Sequence, residues 1–238
     1  MKVLLLGASG ATGSLVKNAL LEKSINVCAI VRNPETLKKN DDQNLEIIKG
    51  NVLDLPEKKL GEIINECAAA ISCLGHNITL KGIYGKPHLL VTNSVKRICE
   101  VAKAQNRLFK FVLMNTTANR NRDVKESYSI GDRIVLGIFN LLLPPQNDNV
   151  NAAKYLSKTI GHNKNIEWIA VRPDTLINES GVSGYTVVEG IRRSPVFDAG
   201  KVSRINVSDF ITRLLCDENE WNKWKYEMPV IYNNSFVR

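Results

Sequence analysis

The sequence predicts an α/β protein with a doubly wound parallel sheet, helices on both faces and a small C-terminal lobe. Short apolar runs alternate with helical patterns between residues 2 and 171. These runs are continuous rather than alternating with polar residues, which is typical of parallel strands buried on both faces. Right-handed crossovers between such strands place helices on both sides of the sheet. The pattern loosens after Pro173, which predicts a different arrangement for the last part of the chain.

Each predicted element follows from its local pattern. Strands are expected at 2–6, 26–31, 45–49, 68–74, 109–114 and 166–171, and helices at 11–22, 58–65, 89–104 and 152–160. Beyond Pro173, GVSGYTVVEG predicts a short strand and MPVIYN a last strand. RINVSDFITRLLCD is expected to begin as a strand and continue as a helix capped by Ser208. We expect one domain over residues 1–238, with 174–238 forming a small lobe on the substrate side.

Composition places the chain among ordinary globular proteins. Of 238 residues, 44% are hydrophobic and 24% charged. No apolar run approaches the ~20 residues of a membrane helix, and the first apolar stretch turns into glycines too early for a secretory signal. The five cysteines are scattered without a CxxC pair, which predicts reduced thiols and a cytoplasmic protein. No metal site is expected, because the three histidines are isolated in the sequence from one another and from the cysteines.

The net charge of +8 raises the question of an anionic partner. Basic residues are spread along the chain and only 6% of residues are aromatic, so a nucleic-acid partner is not favoured. A small anionic ligand explains the excess equally well. The run NRNRDVK at 119–125 follows the fifth strand and is as typical of a solvated loop as of a segment that attracts an anionic substrate. Tyr84, within KGIYGKP, is a candidate to cover the pocket, with structural packing as the alternative.

Three glycines at Gly7, Gly10 and Gly13 follow the first predicted strand and open the first predicted helix. Gly7 permits the tight turn, Gly10 lets an anion approach the backbone, and Gly13 allows the helix to pack closely on the sheet. The free N–H groups and the dipole of the helix start favour a pyrophosphate. The corner therefore predicts a dinucleotide site, with a ligand-free turn as the alternative.

Arg32 stands after the second strand, where an NAD-preferring site carries an acidic residue that binds the ribose hydroxyls. No acid occupies that position here. A guanidinium there can hold a 2′-phosphate through charge-assisted contacts, with Ser9 adding a hydroxyl. The sequence thus predicts NADP in preference to NAD, with an ordinary surface arginine as the alternative.

Six motifs in order carry a family resemblance: GASGATG at 7–13, VRNPETL at 31–37, GNVLD at 50–54, CLG at 73–75, MNTTA at 114–118 and IEWIAVRPDTL at 166–176. With them the chain resembles the short-chain dehydrogenase/reductase superfamily. More narrowly, it is similar to the atypical NmrA-like branch with biliverdin reductase B and the NAD(P)H–flavin reductases. The resemblance implies a Rossmann-type fold and an NAD(P) cofactor.

The resemblance also implies roles for individual residues. Gly7, Ser9, Gly10, Ala11, Thr12 and Gly13 would hold the phosphates, Arg32 the 2′-phosphate, Asn51 and Val52 the adenine, and Leu74 and Gly75 the adenosine ribose. Thr116 and Thr117 stand where the family carries its catalytic or nicotinamide-facing serine, and Arg172 and Pro173 would lead the chain past the nicotinamide.

One departure from the family bears on the chemistry. Better-known members carry a Tyr-x-x-x-Lys pair, in which the lysine lowers the tyrosine pKa so that the phenol can pass a proton. Lys154 aligns with the lysine, but Val150 stands at the tyrosine position. Tyr155 would point about 100° away around the helix and is a poor substitute. Lys154 is expected to bind the nicotinamide ribose, with a surface lysine as the alternative.

These expectations favour an NADPH-dependent reductase of a planar conjugated acceptor, such as a flavin, a quinone or a tetrapyrrole. In such reactions the cofactor supplies the chemistry and the protein aligns donor and acceptor, so a tyrosine is not required. Thr117 and Lys154 are the candidate catalytic residues. An NADP-sensing regulator that contacts a protein partner is the alternative, and a sugar-nucleotide epimerase or dehydratase is the third hypothesis.

Overall fold

The structure, a computed structural model, describes residues 1–37, 42–76, 85, 87–121, 124, 126 and 128–237. Tyr84 and the residues Arg122, Asp123 and Lys125 of the NRNRDVK run lie outside these ranges. Within them, an eight-stranded sheet has the order β3-β2-β1-β4-β5-β6-β10-β8, and β7 and β9 pair separately.

The strands are β1 (Lys2–Leu6), β2 (Asn26–Val31), β3 (Leu45–Lys49), β4 (Ala69–Ser72), β5 (Phe109–Met114), β6 (Ile166–Pro173), β7 (Thr175–Ile177), β8 (Tyr185–Val188), β9 (Lys201–Ser203) and β10 (Val230–Asn233). The α-helices of the described ranges are α1 (Ala11–Glu22), α2 (Glu57–Glu66), α3 (Leu90–Ala104), α4 (Ile130–Leu142), α5 (Pro144–Lys154), α6 (Arg204–Cys216) and α7 (Glu218–Trp224). A π-helical segment, Tyr155–Ile160, continues α5, and 3₁₀ turns occupy Pro34–Thr36 and Asn234–Phe236.

The sheet is parallel from β3 to β10, and only β8 at its edge runs antiparallel. Leu4 of β1 pairs with Cys28 of β2 on one side and with Ala70 of β4 on the other. The chain therefore reverses direction across the sheet at β1. In open α/β sheets this is the crevice at the carboxyl ends of the strands where ligands bind.

Two separate hydrophobic clusters cover the two faces of the sheet. Leu4, Leu6 and Phe111 pack on one face with side chains from α2, α3 and α5. Val3 and Leu5 pack on the other with side chains from α1, α6 and α7. Alternate residues of β1 thus enter opposite cores, which explains its continuous apolar sequence. The doubly wound fold class is confirmed.

Several predicted boundaries are also confirmed, whereas three details of the helices were wrong. Helix α4 was not predicted. Helix α5 begins at Pro144 rather than near Ala152, because proline is well accommodated in the first helical turn. Ser203, not Ser208, caps α6: its side chain accepts a hydrogen bond from the Asn206 N–H at 3.2 Å. The strand expected at the start of RINVSDFITRLLCD is also wrong, because β9 ends at Ser203 and the run is helical from Arg204.

Residues 174–237 divide between two arrangements. Strands β10 and β8 extend the main sheet, β7 and β9 form the small second sheet, and α6 packs against α1. The assignment of this segment as a substrate-side lobe stays a prediction.

Candidate functional site

The glycine corner is built by close backbone contacts. Gly7 has a φ of +78°, and a Cβ there would lie 2.6 Å from the Cys73 carbonyl oxygen. A Cβ on Gly13 would lie 2.1 Å from the carbonyl oxygen of Gly7. Both positions therefore require glycine for folding. At Gly10 a Cβ would lie 3.2 Å from the same oxygen, a tight contact that a small shift can relieve.

The starts of two helices differ in how their amides are satisfied. Gly10 is the N-cap of α1, and no side chain caps this helix. The N-terminus of α3 is occupied by Asp148, whose carboxylate accepts hydrogen bonds from the N–H groups of Val91 and Thr92, each at 2.8 Å. The first amides of α1 are thus available to an external anion, whereas α3 already holds an internal one.

A cavity of about 170 Å³ lies beside the start of α1, and we call it the glycine-corner cavity. Its described lining includes the predicted residues Gly7, Ser9, Gly10, Arg32, Asn51, Val52, Leu74 and Gly75. Arg32 is the one charged side chain among these described lining residues, and it is exposed. The predicted Ala11, Thr12 and Gly13 follow directly in the first turn of α1. A positively charged cavity beside an uncapped helix start suits a phosphorylated ligand.

The Asn51 side chain makes two hydrogen bonds within its own loop. Its amide nitrogen donates to the Asp54 carboxylate at 2.9 Å, and its amide oxygen accepts from the Leu53 N–H at 3.2 Å. One amide hydrogen and one lone pair remain for a ligand.

Lys17 was not among the predicted site residues. It lies on α1 with only 6% of its surface exposed, and it lines a neighbouring cavity with Ser9 and Thr36. Because Ser9 lines both this cavity and the glycine-corner cavity, Lys17 is a further candidate to contact a phosphate at this corner. The available signal was a lysine on a helix face otherwise occupied by Val16, Leu20 and Leu21.

A second concave region lies between α4, α5 and the loop after β5. Two adjoining cavities of about 290 and 590 Å³ share Asn119, Arg120, Asn140 and Val150 in their lining, and together we call them the interhelix cavity. Their volumes fall in the range of small-molecule sites. Lys154 lines this region together with Val150. Lys154 and Val150, the residue at the tyrosine position, therefore lie together. Neither is among the described lining residues of the glycine-corner cavity.

The two predicted threonines differ in exposure. Thr117 is only 4% exposed, its N–H donates to the Pro173 carbonyl at 3.3 Å, and its hydroxyl donates to the Asp174 carboxylate. Burial raises the pKa of the Asp174 carboxyl, and this effect exceeds the lowering by the hydrogen bonds that the carboxyl accepts. Thr116 is half-buried, and its hydroxyl oxygen accepts from the Ala118 N–H at 3.2 Å. The contacts of Thr117 hold β5 and β6 together where both strands end.

No described tyrosine beside the interhelix cavity has the lowered pKa of a proton-transfer residue. Burial raises the pKa of Tyr155 to about 12, and Lys96 lies 5.7 Å from its ring centroid. Tyr128 lines the cavity, but its hydroxyl donates to the Thr117 carbonyl at 2.7 Å, and burial raises its pKa as well. Both side chains therefore fit structural roles.

Arg172 organises the loop after β5 from within the core. Its guanidinium donates to both carboxylate oxygens of Glu126, at 2.6 and 3.1 Å, and to the Asn119 carbonyl at 2.9 Å. The side chains of Arg172 and Glu126 are 0% and 1% exposed. Glu126 in turn accepts from the N–H groups of Asn121 and Ile191. Arg172 thus supports the floor of the interhelix cavity, a role that the sequence motif did not reveal.

A buried histidine–aspartate contact links the two regions. His76 follows Leu74 and Gly75 of the glycine-corner cavity, and its Nε2 lies 2.8 Å from the Asp148 carboxylate on α5. Asp148 is fully buried. The residues are 72 positions apart, so no local signal could have paired them.

The described residues contain no group of three or more His, Cys, Asp or Glu side chains arranged to hold a metal ion. No described helix is both long and apolar enough to cross a membrane.

Residues 7–218 match the model of a family described as NAD(P)H-binding. An uncharacterized chloroplastic protein of Arabidopsis thaliana is 26% identical over 223 residues, which cover 91% of this chain and 72% of the relative.

Solved structures share the fold at low sequence identity. A proposed NADH-flavin reductase from Streptococcus pneumoniae superimposes with a TM-score of 0.69 at 17% identity, covering 98% of this chain and 100% of that one. The anaerobilin reductase ChuY from Escherichia coli gives a TM-score of 0.70 at 13% identity, with 100% of both chains covered.

Proposed function

The chain belongs to the NAD(P)H-binding family, and from that premise we propose that it is an NADPH-dependent reductase of a planar conjugated acceptor. The observation that carries the proposal is the pairing of two cavities with different linings. The glycine-corner cavity offers glycine backbone, an uncapped helix start and Arg32. The interhelix cavity offers Lys154 and Val150, with no described tyrosine activated for proton transfer.

The cofactor would be held by the residues around the glycine corner. The first amides of α1 and the backbone of Ser9 and Gly10 would bind the pyrophosphate, and Arg32 would bind the 2′-phosphate. When bound, NADPH supplies a hydride. Lys154 would hold the nicotinamide ribose, and the strand ends at Thr116, Thr117 and Pro173 would bound the nicotinamide position.

The chain's residues favour reduction of a conjugated ring over oxidation of an alcohol. Alcohol oxidation requires a base for the hydroxyl proton, and Val150 cannot accept one. A conjugated acceptor spreads the incoming charge over its rings, so alignment matters more than a dedicated acid. Val150, Leu136 and Met228 offer apolar contact to such a ring system.

An acceptor panel tests this proposal. NADPH absorbance is followed with flavins, small quinones and tetrapyrroles, with heat-denatured protein as the control, and simple alcohols are tested with NADP. We expect slow NADPH oxidation with at least one conjugated acceptor and none with the alcohols. Robust alcohol oxidation would contradict the proposal, because it would show that another residue replaces the tyrosine.

A cofactor-sensing regulator is the second candidate function. One face of α4 exposes Ile130, Ile134 and Leu141 at 76%, 58% and 82% of their surface, as suits contact with a protein partner. Tight NADPH binding without oxidation by any acceptor would favour this alternative over the reductase.

A further inference from the structure

The described lining of the interhelix cavity is rich in basic side chains. Arg120, Arg133 and Lys154 line it, and no Asp or Glu stands among its described lining residues. Three carboxylates on the neighbouring elements already have partners of their own. Glu126 binds Arg172, Asp148 contacts His76 and caps α3, and Asp132 forms the capping box of α4 with Ser129.

A buried amide donor without a protein partner lines the same cavity. Asn119 is 6% exposed, lines both parts of the interhelix cavity, and its Nδ2 has no hydrogen-bond partner among the described residues. The Oδ1 of Asn140, an acceptor in the same lining, has none either, so a ligand here would also present a donor. Its backbone is fixed, because its N–H donates to the Thr116 carbonyl at 3.1 Å and its carbonyl accepts from Arg172 at 2.9 Å. A buried unpaired donor is unfavourable, and an oxygen atom of a ligand would satisfy it.

Arg120 is held in place beside this donor. Its Nη2 donates to the Glu126 carbonyl at 3.1 Å, and its guanidinium carbon lies 5.8 Å from the Tyr128 ring centroid. Arg120 therefore needs little reordering to bind a ligand. A partly fixed cation next to an unsatisfied N–H group forms a recognisable anion-binding pair.

We propose that the interhelix cavity binds an acidic group of the acceptor, a carboxylate or a phosphate, through Arg120 and the Asn119 amide. This inference rests on the proposed reductase function and narrows its substrate class to anionic conjugated acceptors. Arg133 and Lys154 add positive charge around the group, and Leu136 and Val150 contact the ring system.

Two matched pairs of acceptors test the proposal and separate the two acidic groups. FMN and riboflavin share one ring system and differ by a phosphate. Biliverdin and its dimethyl ester differ by two carboxylates. We expect the anionic member of at least one pair to have a KM at least tenfold below that of its neutral partner, with a similar kcat. The pair that shows the difference identifies the acidic group.

Variants test whether the preference for the anionic acceptor arises at the interhelix cavity. Asn119→Asp keeps the side-chain shape but places a carboxylate beside the ligand, and Arg120→Gln removes the adjacent charge. Each should raise the KM of the anionic acceptor about tenfold and change that of the neutral partner less than twofold. Lys103→Gln makes the same charge change on an exposed helix end outside the cavity and should leave the preference intact. Lys154 is not used, because its charge is also assigned to the nicotinamide ribose.

Equilibrium binding separates failure of this inference from failure of the reductase proposal. Binding of FMN and riboflavin is measured by flavin fluorescence, and that of biliverdin and its ester by absorbance, each with NADP present. If the anionic member binds at least tenfold more tightly and Asn119→Asp removes the preference, the anion site stands even without turnover. Equal binding within both pairs, or no binding of any member, overturns the site. Circular dichroism and thermal unfolding confirm that each variant is folded.

Discussion

The three glycines of the first turn have different physical reasons to be glycine. Gly7 and Gly13 are fixed by backbone contacts inside the protein, whereas Gly10 lines the glycine-corner cavity. Substitutions at Gly10 and Gly13 should therefore separate ligand binding from folding.

Gly10→Val should abolish NADPH binding and leave the fold intact, because its side chain fills the space beside the helix start. Gly13→Ala should instead destabilise the protein by about 1–3 kcal/mol or more, since its Cβ would meet the Gly7 carbonyl at 2.1 Å. Urea unfolding and calorimetric titration with NADPH measure the two effects. Normal NADPH binding by folded Gly10→Val would show that this corner does not hold the phosphates.

Arg32 is the residue expected to make the protein bind NADPH more tightly than NADH. We expect NADPH to bind at least tenfold more tightly than NADH, because a charge-assisted contact to the 2′-phosphate contributes ~1.5–3 kcal/mol. Arg32→Asp should largely remove this preference, and Lys103→Asp, a matched charge reversal away from the cavity, should preserve it. Equal calorimetric dissociation constants for the two cofactors in the unaltered protein would refute the assignment.

At the scale of elements, a buried ion pair joins β6 to the loop that floors the interhelix cavity. Glu126→Gln leaves the Arg172 guanidinium buried without its counter-charge and should cost about 3–5 kcal/mol of the free energy of unfolding. Glu62→Gln is the control, because it removes an exposed pair with Lys59 and should cost less than about 1 kcal/mol. Equal losses in urea unfolding would mean that the buried pair does not hold the loop.

The reactivity of the five cysteines reports how well both cores of the protein are buried. Burial raises the pKa of Cys28, Cys67 and Cys73 to about 12 and also raises that of Cys99, whereas Cys216 is exposed. A thiol with a pKa of about 12 is ionised to only about one part in 10⁴ at pH 8, and the thiolate is the reactive form.

Iodoacetamide at pH 8 should therefore label Cys216 alone in the native protein and all five cysteines in denaturant. Even at higher pH, the buried thiols should be labelled only when the protein opens and exposes them. While they are buried, their raised pKa keeps the reactive thiolate scarce. Mass spectrometry of the digested protein identifies the labelled positions. Rapid native labelling at Cys28, Cys67 or Cys99 would show that the two cores are more open than described.

Local signals determined much of this protein from the sequence alone. Strands β1, β2, β3 and β5 and helix α1 lie where the apolar patterns and the glycine turn predict them, because these signals are local in the sequence. The glycine turn and Arg32, together with the family resemblance, named residues that line one cavity. Helix α4 carried a local signal too, the Ser129–Asp132 capping box, but its apolar residues face outward, against the usual expectation that such residues are buried.

Only the tertiary structure decided which distant residues meet. Arg172 and Glu126 are 46 residues apart, and His76 and Asp148 are 72 apart, so their contacts depend on strand order and helix packing rather than on any periodicity. The same packing placed Lys154 beside Asn119 and Arg120 and left the Asn119 amide without a partner. Sequence patterns report which face of an element is buried, whereas a binding site forms where several elements converge, and that convergence is set by the fold as a whole.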